Sequence, residues 1–202
     1  MTDQDALRDD IAFMRSLAEE GRNGPLLGGA IMMAGGLLFG LASLVLYLGL
    51  ASGMSIDSRI ELVWPISGVL FFVALFILLR RMPRAKGALA RGVGVGWSAA
   101  GWTMFTLVVA LCVMAVRLDD TKLTAVFPPA ILALYGCSWF IAAGAARRSW
   151  LTSVTVGSFV MAVVTAWFAL QPIDYLIYAI SLFVLVAAPG FVLTRQARKA
   201  AA

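Results

Sequence analysis

The sequence predicts an all-α membrane protein with six transmembrane helices arranged as three hairpins, plus an N-terminal amphipathic cytoplasmic helix. Hydrophobic residues make up 61% of the 202 positions and charged residues 13%, whereas soluble domains have about 45–50% and about 25%. The chain also contains six apolar stretches of about 20 residues or more, and a helix of that length crosses a hydrocarbon core. The stretches cover residues 25–53, 60–79, 93–116, 123–146, 150–170 and 173–193.

The chain divides into an arm, a bundle and a tail. We expect residues 1–24 to form a cytoplasmic amphipathic arm, residues 25–193 the six-helix transmembrane bundle, and residues 194–202 a short basic cytoplasmic tail. Residues 49–51 resemble a signal-peptide cleavage site. The apolar run before them is too long and the arm is too acidic for a signal peptide, so we expect the first span to be retained.

The arm has the pattern of an amphipathic helix over residues 3–21. Leu7, Ile11, Met14 and Ala18 form an apolar stripe at helical spacing. Acidic residues outnumber basic ones by six to three in residues 1–24, which is the reverse of the bias in helices that bind anionic lipid. The stripe is therefore expected to pack on the cytoplasmic end of the bundle or to dock on another protein, and both alternatives stay open.

The placement of positive charge predicts the topology. Of the sixteen Lys and Arg residues, thirteen lie before span one, between spans two and three, between four and five, or after six. By the positive-inside rule these segments are cytoplasmic, so both termini are expected in the cytoplasm, as six spans require. We expect a bacterial inner-membrane location. The same one-sided placement explains the net charge of +5 without a nucleic-acid partner.

Small residues at intervals of four predict close helix packing. They occur at Gly36 and Gly40 in span one, and at Gly92, Gly96 and Ala100 in span three. Such residues let helix backbones approach closely, and this contact drives association in lipid. Packing within the chain is the expected role. Pairing of two copies through one of these faces is the alternative, which leaves a homo-oligomer open.

Weak internal similarity suggests that the three hairpins are repeats. Residues 29–36 match residues 94–101 at three small positions, and an aromatic-Pro pair lies near the start of spans two and four. Three hairpins of one orientation would be parallel repeats. Chance similarity between apolar segments is the other interpretation.

A few polar and irregular positions lie inside the spans. Trp102 and Tyr135 are expected to line the bundle interior beside Ser138, because a buried indole N–H or phenol hydroxyl needs a partner. The pairs at residues 128–129 and 189–190 contain proline and are expected to shape helices, since proline removes a backbone hydrogen bond. Cys112 and Cys137 differ in depth, so we expect two apolar packing residues and no disulfide.

Several classes of chemistry are excluded by composition. The chain has no histidine, which excludes His-ligated haem, His-based metal sites and His-assisted serine catalysis. It also lacks a Cys-x-x-Cys pair and a Gly-rich phosphate loop. We therefore expect no cofactor, no metal and no enzymatic activity.

The leading hypothesis is a non-enzymatic regulatory or accessory protein of the membrane. Its polar residues are concentrated on the cytoplasmic side, so a cytoplasmic or membrane protein partner would bind there. The candidate partner-binding residues are Leu7, Ile11 and Met14 of the arm, and Arg80, Arg81 and Arg84 of the loop over residues 80–91.

The alternative hypothesis is a carrier or channel for a small neutral or apolar compound. The expected path lies between hairpins near Trp102, Tyr135 and Ser138. Ion-coupled carriers place charged residues at mid-depth, and these spans offer mostly hydroxyl, thiol and aromatic groups there.

Overall fold

The computed structural model describes Ile11 and residues 28–53, 62–81 and 88–201. All regular structure in these ranges is helical, and six helical stretches are long and apolar enough to cross a membrane. The predicted all-α class and the number of spans are thereby confirmed. The helices are α1 (Gly29–Ala51), α2 (Val63–Arg81), α3 (Ala88–Leu118), α4 (Phe127–Ala146), α5 (Ser149–Trp167), α6 (Pro172–Leu182) and α7 (Ala188–Ala201).

Two short elements complete the fourth and sixth spans. A 3-10 helix, Thr121–Val126, precedes α4, and a π-helical turn, Phe183–Ala187, joins α6 to α7. Prolines stand in the first turns of α4 and α6, where the missing amide proton costs no helical hydrogen bond. The expected shaping role at residues 128–129 is therefore to start a helix. The arm predicted over residues 3–21 lies outside the described residues except for Ile11, which is helical and exposed.

The first and sixth spans pack closely against each other, with main-chain contact at Gly29 and Gly36. A Cβ atom added to Gly29 would lie 2.6 Å from the Gly190 carbonyl oxygen, and one added to Gly36 would lie 2.6 Å from the Ala187 nitrogen. At Gly40 the added atom would lie 2.5 Å from the Phe183 ring. Only glycine fits at such separations, so the packing predicted for Gly36 and Gly40 is found, with the sixth span as its partner.

The fourth and fifth spans form a second tight pair. Gly136 of α4 faces the Phe159 ring of α5, which lies 2.8 Å from the position of an added Cβ. A Cβ added to Gly157, also on α5, would lie 2.9 Å from the Leu185 side chain of the sixth span. The closest packing therefore joins spans one and six, and spans four and five. The predicted hairpin neighbours also touch, but three hairpins as separate repeats remain a prediction.

The second and third spans lie at the periphery. Phe71 of α2 covers Gly35 of α1, with 3.1 Å from the ring to an added Cβ. The third span contacts α4 and the 3-10 helix before it, and its buried residues, which include Val93, Ala100 and Leu111, recur at helical spacing. Most other side chains of α2 and α3 are exposed, as expected for surfaces that face lipid.

The packing within the chain that was expected at Gly92 is not found among the described residues. An added Cβ there would meet nothing within 4 Å, and one at Gly96 would meet only Ile141, at 3.8 Å. Ala100 is buried, as predicted, but it contacts its neighbours through a methyl group. The physical reason is the orientation of α3 about its own axis. The buried face of α3 is centred on the Val93 stripe, and Gly92, one residue earlier, points to a different side of the helix.

We predict that Gly36→Ala destabilises the protein by about 1–3 kcal/mol, because the added methyl overpacks the Ala187 main chain. The matched control is Gly101→Ala, since Gly101 is helical and has open space around it; we expect it to be neutral or to stabilise by up to about 1 kcal/mol. Titration with sodium dodecyl sulfate, followed by circular dichroism, measures both. Equal midpoints for the two variants would contradict the close contact.

Candidate functional site

The interior of the bundle is filled by two apolar clusters. One is centred on Trp139, whose side chain is fully buried, and includes Leu193 of α7. The other is centred on Leu132 and Leu182. Tyr135 packs against both clusters and joins them. Large side chains thus occupy the space between the helices.

An aromatic column runs through these clusters. We give this name to Trp139, Trp97, Tyr135, Tyr178 and Trp64. The Trp139 and Trp97 rings meet edge to face with centroids 4.8 Å apart, and the Trp97 and Tyr135 centroids are 6.4 Å apart. Tyr135 and Tyr178 share the second cluster, and Tyr178 lies 6.4 Å from Trp64. Such rings combine apolar area with polar atoms that can bind a ligand.

Three buried polar atoms have no hydrogen-bond partner among the described residues. They are the Ser43 hydroxyl, the Trp139 indole nitrogen and the Asp174 Oδ1 atom. Ser43 and Trp139 are fully buried, and Asp174 is 7% exposed. Buried polar atoms are nearly always satisfied, so each of these three is an exception among the described residues.

Asp174 is a buried acid near one end of the bundle. It lies in the first turn of α6 with most of its surface covered. Asp174, Tyr178 and Ser181 occur at helical spacing and are all buried. That spacing was the signal in the sequence that could have identified the acid as part of the inward stripe.

Most hydroxyl groups inside the spans are already satisfied. Ser138, Thr155 and Ser158 each donate to the carbonyl oxygen four residues earlier, at 2.9 Å. Ser181 does the same at 2.7 Å. Helical serine and threonine commonly satisfy themselves in this way, so these groups do not form a polar path through the described part of the bundle.

The three residues predicted to line a path do not come together. Ser138 is buried and Tyr135 is half-buried, but Trp102 is 71% exposed. Trp102 borders a shallow groove of about 450 Å³ on the outer surface of α3, with Thr103 and Thr106. The placement of Trp102 in the interior is therefore wrong, because it falls outside the stripe by which α3 contacts α4.

Both cysteines also lie on the outer surface. Cys112 and Cys137 are free and exposed, so they are not the apolar packing residues that we expected. The described residues contain no group of three or more potential metal ligands of the His, Cys, Asp and Glu types.

Positive charge gathers at one end of the bundle, which we call the basic end. α1 begins at this end and α7 runs toward it. Gly29, the first residue of α1, contacts Gly190 near the start of α7, and the basic residues of α7 follow Gly190. All three acids in the described ranges, Asp119, Asp120 and Asp174, lie at the other end, the far end. The basic end carries eight of the ten described cations, namely Arg80, Arg81, Arg91, Arg147, Arg148, Arg195, Arg198 and Lys199.

The cations of the basic end have few partners. The Arg80 guanidinium lies 4.2 Å from the centre of the Phe76 ring, and Arg148 donates a hydrogen bond to the Gln196 side chain. In the described ranges none of the eight makes an ion pair. The structure thus brings the exposed Arg80 and Arg81 into a larger basic surface. Leu7, Met14 and Arg84 lie outside the described residues.

Comparison with known proteins gives no match. No family model fits the chain, and no curated protein or solved structure matches it. The function must therefore be argued from the side chains of this protein. Two features could have a function. One is the basic end, and the other is the aromatic column together with Asp174, which lies at the far end of the bundle.

We predict that Trp139→Ala destabilises the protein by about 3–5 kcal/mol, because it leaves a cavity where the side chain is fully buried. Trp102→Ala is the matched control, and we expect a change within about 0.5 kcal/mol, as for a surface position. The loss of monomeric protein after heating, measured by size-exclusion chromatography, compares the two. A larger effect at Trp102 would contradict the assignment of inward and outward faces.

Proposed function

We propose that this is a non-enzymatic regulatory or accessory protein of the bacterial inner membrane that binds a protein partner at its basic end. In this proposal both termini and the basic end face the cytoplasm, in accord with the positive-inside rule. The observation that supports partner binding is the set of eight described cations, none of them ion-paired and none with a described acid at the same end.

The arrangement of these cations favours an acidic protein surface as the partner. They come from α2, from α3, from the turn between α4 and α5, and from α7, so they spread over the end of the bundle. Seven of the eight are arginines, and the guanidinium group pairs with carboxylates through two parallel hydrogen bonds. A surface of one charge also attracts an oppositely charged partner over a distance of several ångströms.

The filled interior supports the same conclusion. Trp139, Leu132 and Leu182 are almost completely buried, and Ser138, Thr155, Ser158 and Ser181 donate hydrogen bonds within their own helices. Within the described residues, the accessible polar groups therefore lie mainly at the two ends of the bundle.

We predict that neutralising the basic end abolishes capture of a stoichiometric partner. The test is affinity purification from native membranes in mild detergent, using the full chain carrying Arg80→Gln, Arg81→Gln, Arg195→Gln and Arg198→Gln. The control variant carries Arg117→Gln and Lys122→Gln at the far end. Loss from the first variant with retention by the control is the expected result, because only the basic end supplies the ion pairs.

Two outcomes would contradict the proposal. The first is purification of the wild-type protein without any stoichiometric partner. The second is retention of the same partner, in equal amount, by both variants. Size-exclusion chromatography of each variant establishes that the bundle is intact before the comparison is made.

A second candidate function is a carrier or channel for a small compound. The observation that favours it is Asp174, whose buried oxygen lacks a partner and which lies one helical turn from Tyr178 in the aromatic column. A carboxylate beside aromatic faces suits an ammonium group, through charge and cation–π attraction. This chemistry shifts the expected solute from a neutral compound to a small organic cation.

If the protein is such a carrier, Asp174→Asn lowers the flux of methylammonium into proteoliposomes by about ten-fold or more, because the neutral amide loses the charged contact. Asp119→Asn is the control, since Asp119 is exposed at the far end. The methylammonium flux through this variant is expected to equal the wild-type flux. Wild-type flux no higher than that of protein-free vesicles would reject this candidate.

A further inference from the structure

The cations of the basic end lack acidic partners in the described structure, yet the chain itself contains a matching acidic segment. Five of its eleven acids, at positions 57, 61, 119, 120 and 174, fall in the sequence between α1 and α2, between α3 and α4, or in the first turn of α6. The other six lie in the arm. These are Asp3, Asp5, Asp9, Asp10, Glu19 and Glu20. The arm is therefore the only acidic segment that joins the bundle at its basic end.

The attachment point of the arm brings it next to the cations. The arm leads into Gly28, and the following residue, Gly29, lies against α7: a Cβ added there would be 2.8 Å from the Thr194 nitrogen. Arg195 is the next residue along α7, and Arg148 is held to the same helix by its bond to Gln196. The chain thus enters the first span directly beside part of the basic surface.

The arm also has the length to cross that surface. The stretch from residue 3 to residue 21 would span about 28 Å as a helix, and neighbouring helices of a bundle are spaced by about 8–10 Å. An element of that length can extend over about three helices. It can therefore reach cations on several elements of the basic end.

We propose that the acidic arm, residues 3–21, docks on the basic end of its own chain. Its carboxylates pair with arginines such as Arg195 and Arg198, and the stripe of Leu7, Ile11 and Met14 covers the end of the bundle. Single exposed ion pairs are weak, but the tether holds the arm at an effective concentration on the order of millimolar. Several weak pairs are then sufficient for docking.

This contact deepens the proposed function, since the arm occupies the surface assigned to the partner. An acidic partner, or anionic lipid headgroups, would compete with the arm for the same cations. The arm would thus act as a built-in competitor that a partner displaces. The docked state requires no partner, so a test made with the purified chain fails or succeeds independently of the partner-capture experiment.

The three native lysines make the test possible without added labels. Lys199 belongs to the basic end, Lys122 belongs to the far end, and Lys86 falls in the sequence between α2 and α3. A carbodiimide joins a carboxylate to a lysine amine only when the two are in contact. The full chain is placed in phosphatidylcholine nanodiscs, treated with carbodiimide, and the linked peptides are identified by mass spectrometry.

The expected product links an acid of the arm to Lys199 and is absent for Lys122. A mixture of copies labelled with nitrogen-14 and nitrogen-15 distinguishes a link within one chain from a link between two. Replacing Arg147, Arg195 and Arg198 by Gln is expected to lower the yield about three-fold or more, because the docking charges are lost. Arg117→Gln, at the far end, is expected to leave the yield unchanged.

Three results would overturn the proposal. They are the absence of an arm–Lys199 product in phosphatidylcholine, a product formed only between differently labelled copies, and an equal yield for the triple arginine variant and the wild type. The second result would identify a neighbouring copy as the occupant. A product that appears only after phosphatidylglycerol is added would identify lipid, in place of the arginines, as the surface that holds the arm, and would also overturn it.

Discussion

The main-chain contact between the first and sixth spans is the constraint on which the rest of the structure depends. In lipid, apolar side chains gain little by leaving the hydrocarbon, so helices associate where their surfaces fit closely. Gly29, Gly36 and Gly40 provide that fit against Gly190, Ala187 and Phe183. The contact closes the bundle, buries the inward stripe of α6, and brings the start of α1 beside α7.

The number and length of the spans could be predicted from the sequence because hydropathy responds directly to membrane thickness. The close packing of Gly36 and Gly40 could also be predicted from their spacing. The same rule failed at Gly92, and the interior assignment failed at Trp102. Both errors have one cause: apolar residues face lipid as readily as the core, so composition does not show which face of a membrane helix is inward.

The candidate sites divide in the same way. The one-sided charge of the basic end follows from residue positions alone, because alternate connections of a six-span chain share an end. The burial of Asp174 could not be predicted from residue positions, since it depends on helices that are distant in sequence. The amino-acid types of residues 183–187 do not predict the π-helical turn Phe183–Ala187. The turn occurs where Phe183 packs against Gly40, and such turns are frequent near functional sites.

The pairing of the first span with the last also sets the order of assembly during synthesis. The glycine face of α1 enters the membrane early, but its partner surface, on residues 183–190, is made only after four further spans. At about 5–20 residues per second, this interval lasts on the order of ten seconds. During that time the glycine face must be covered by lipid or by the insertion machinery, so ribosomal speed becomes a determinant of correct closure.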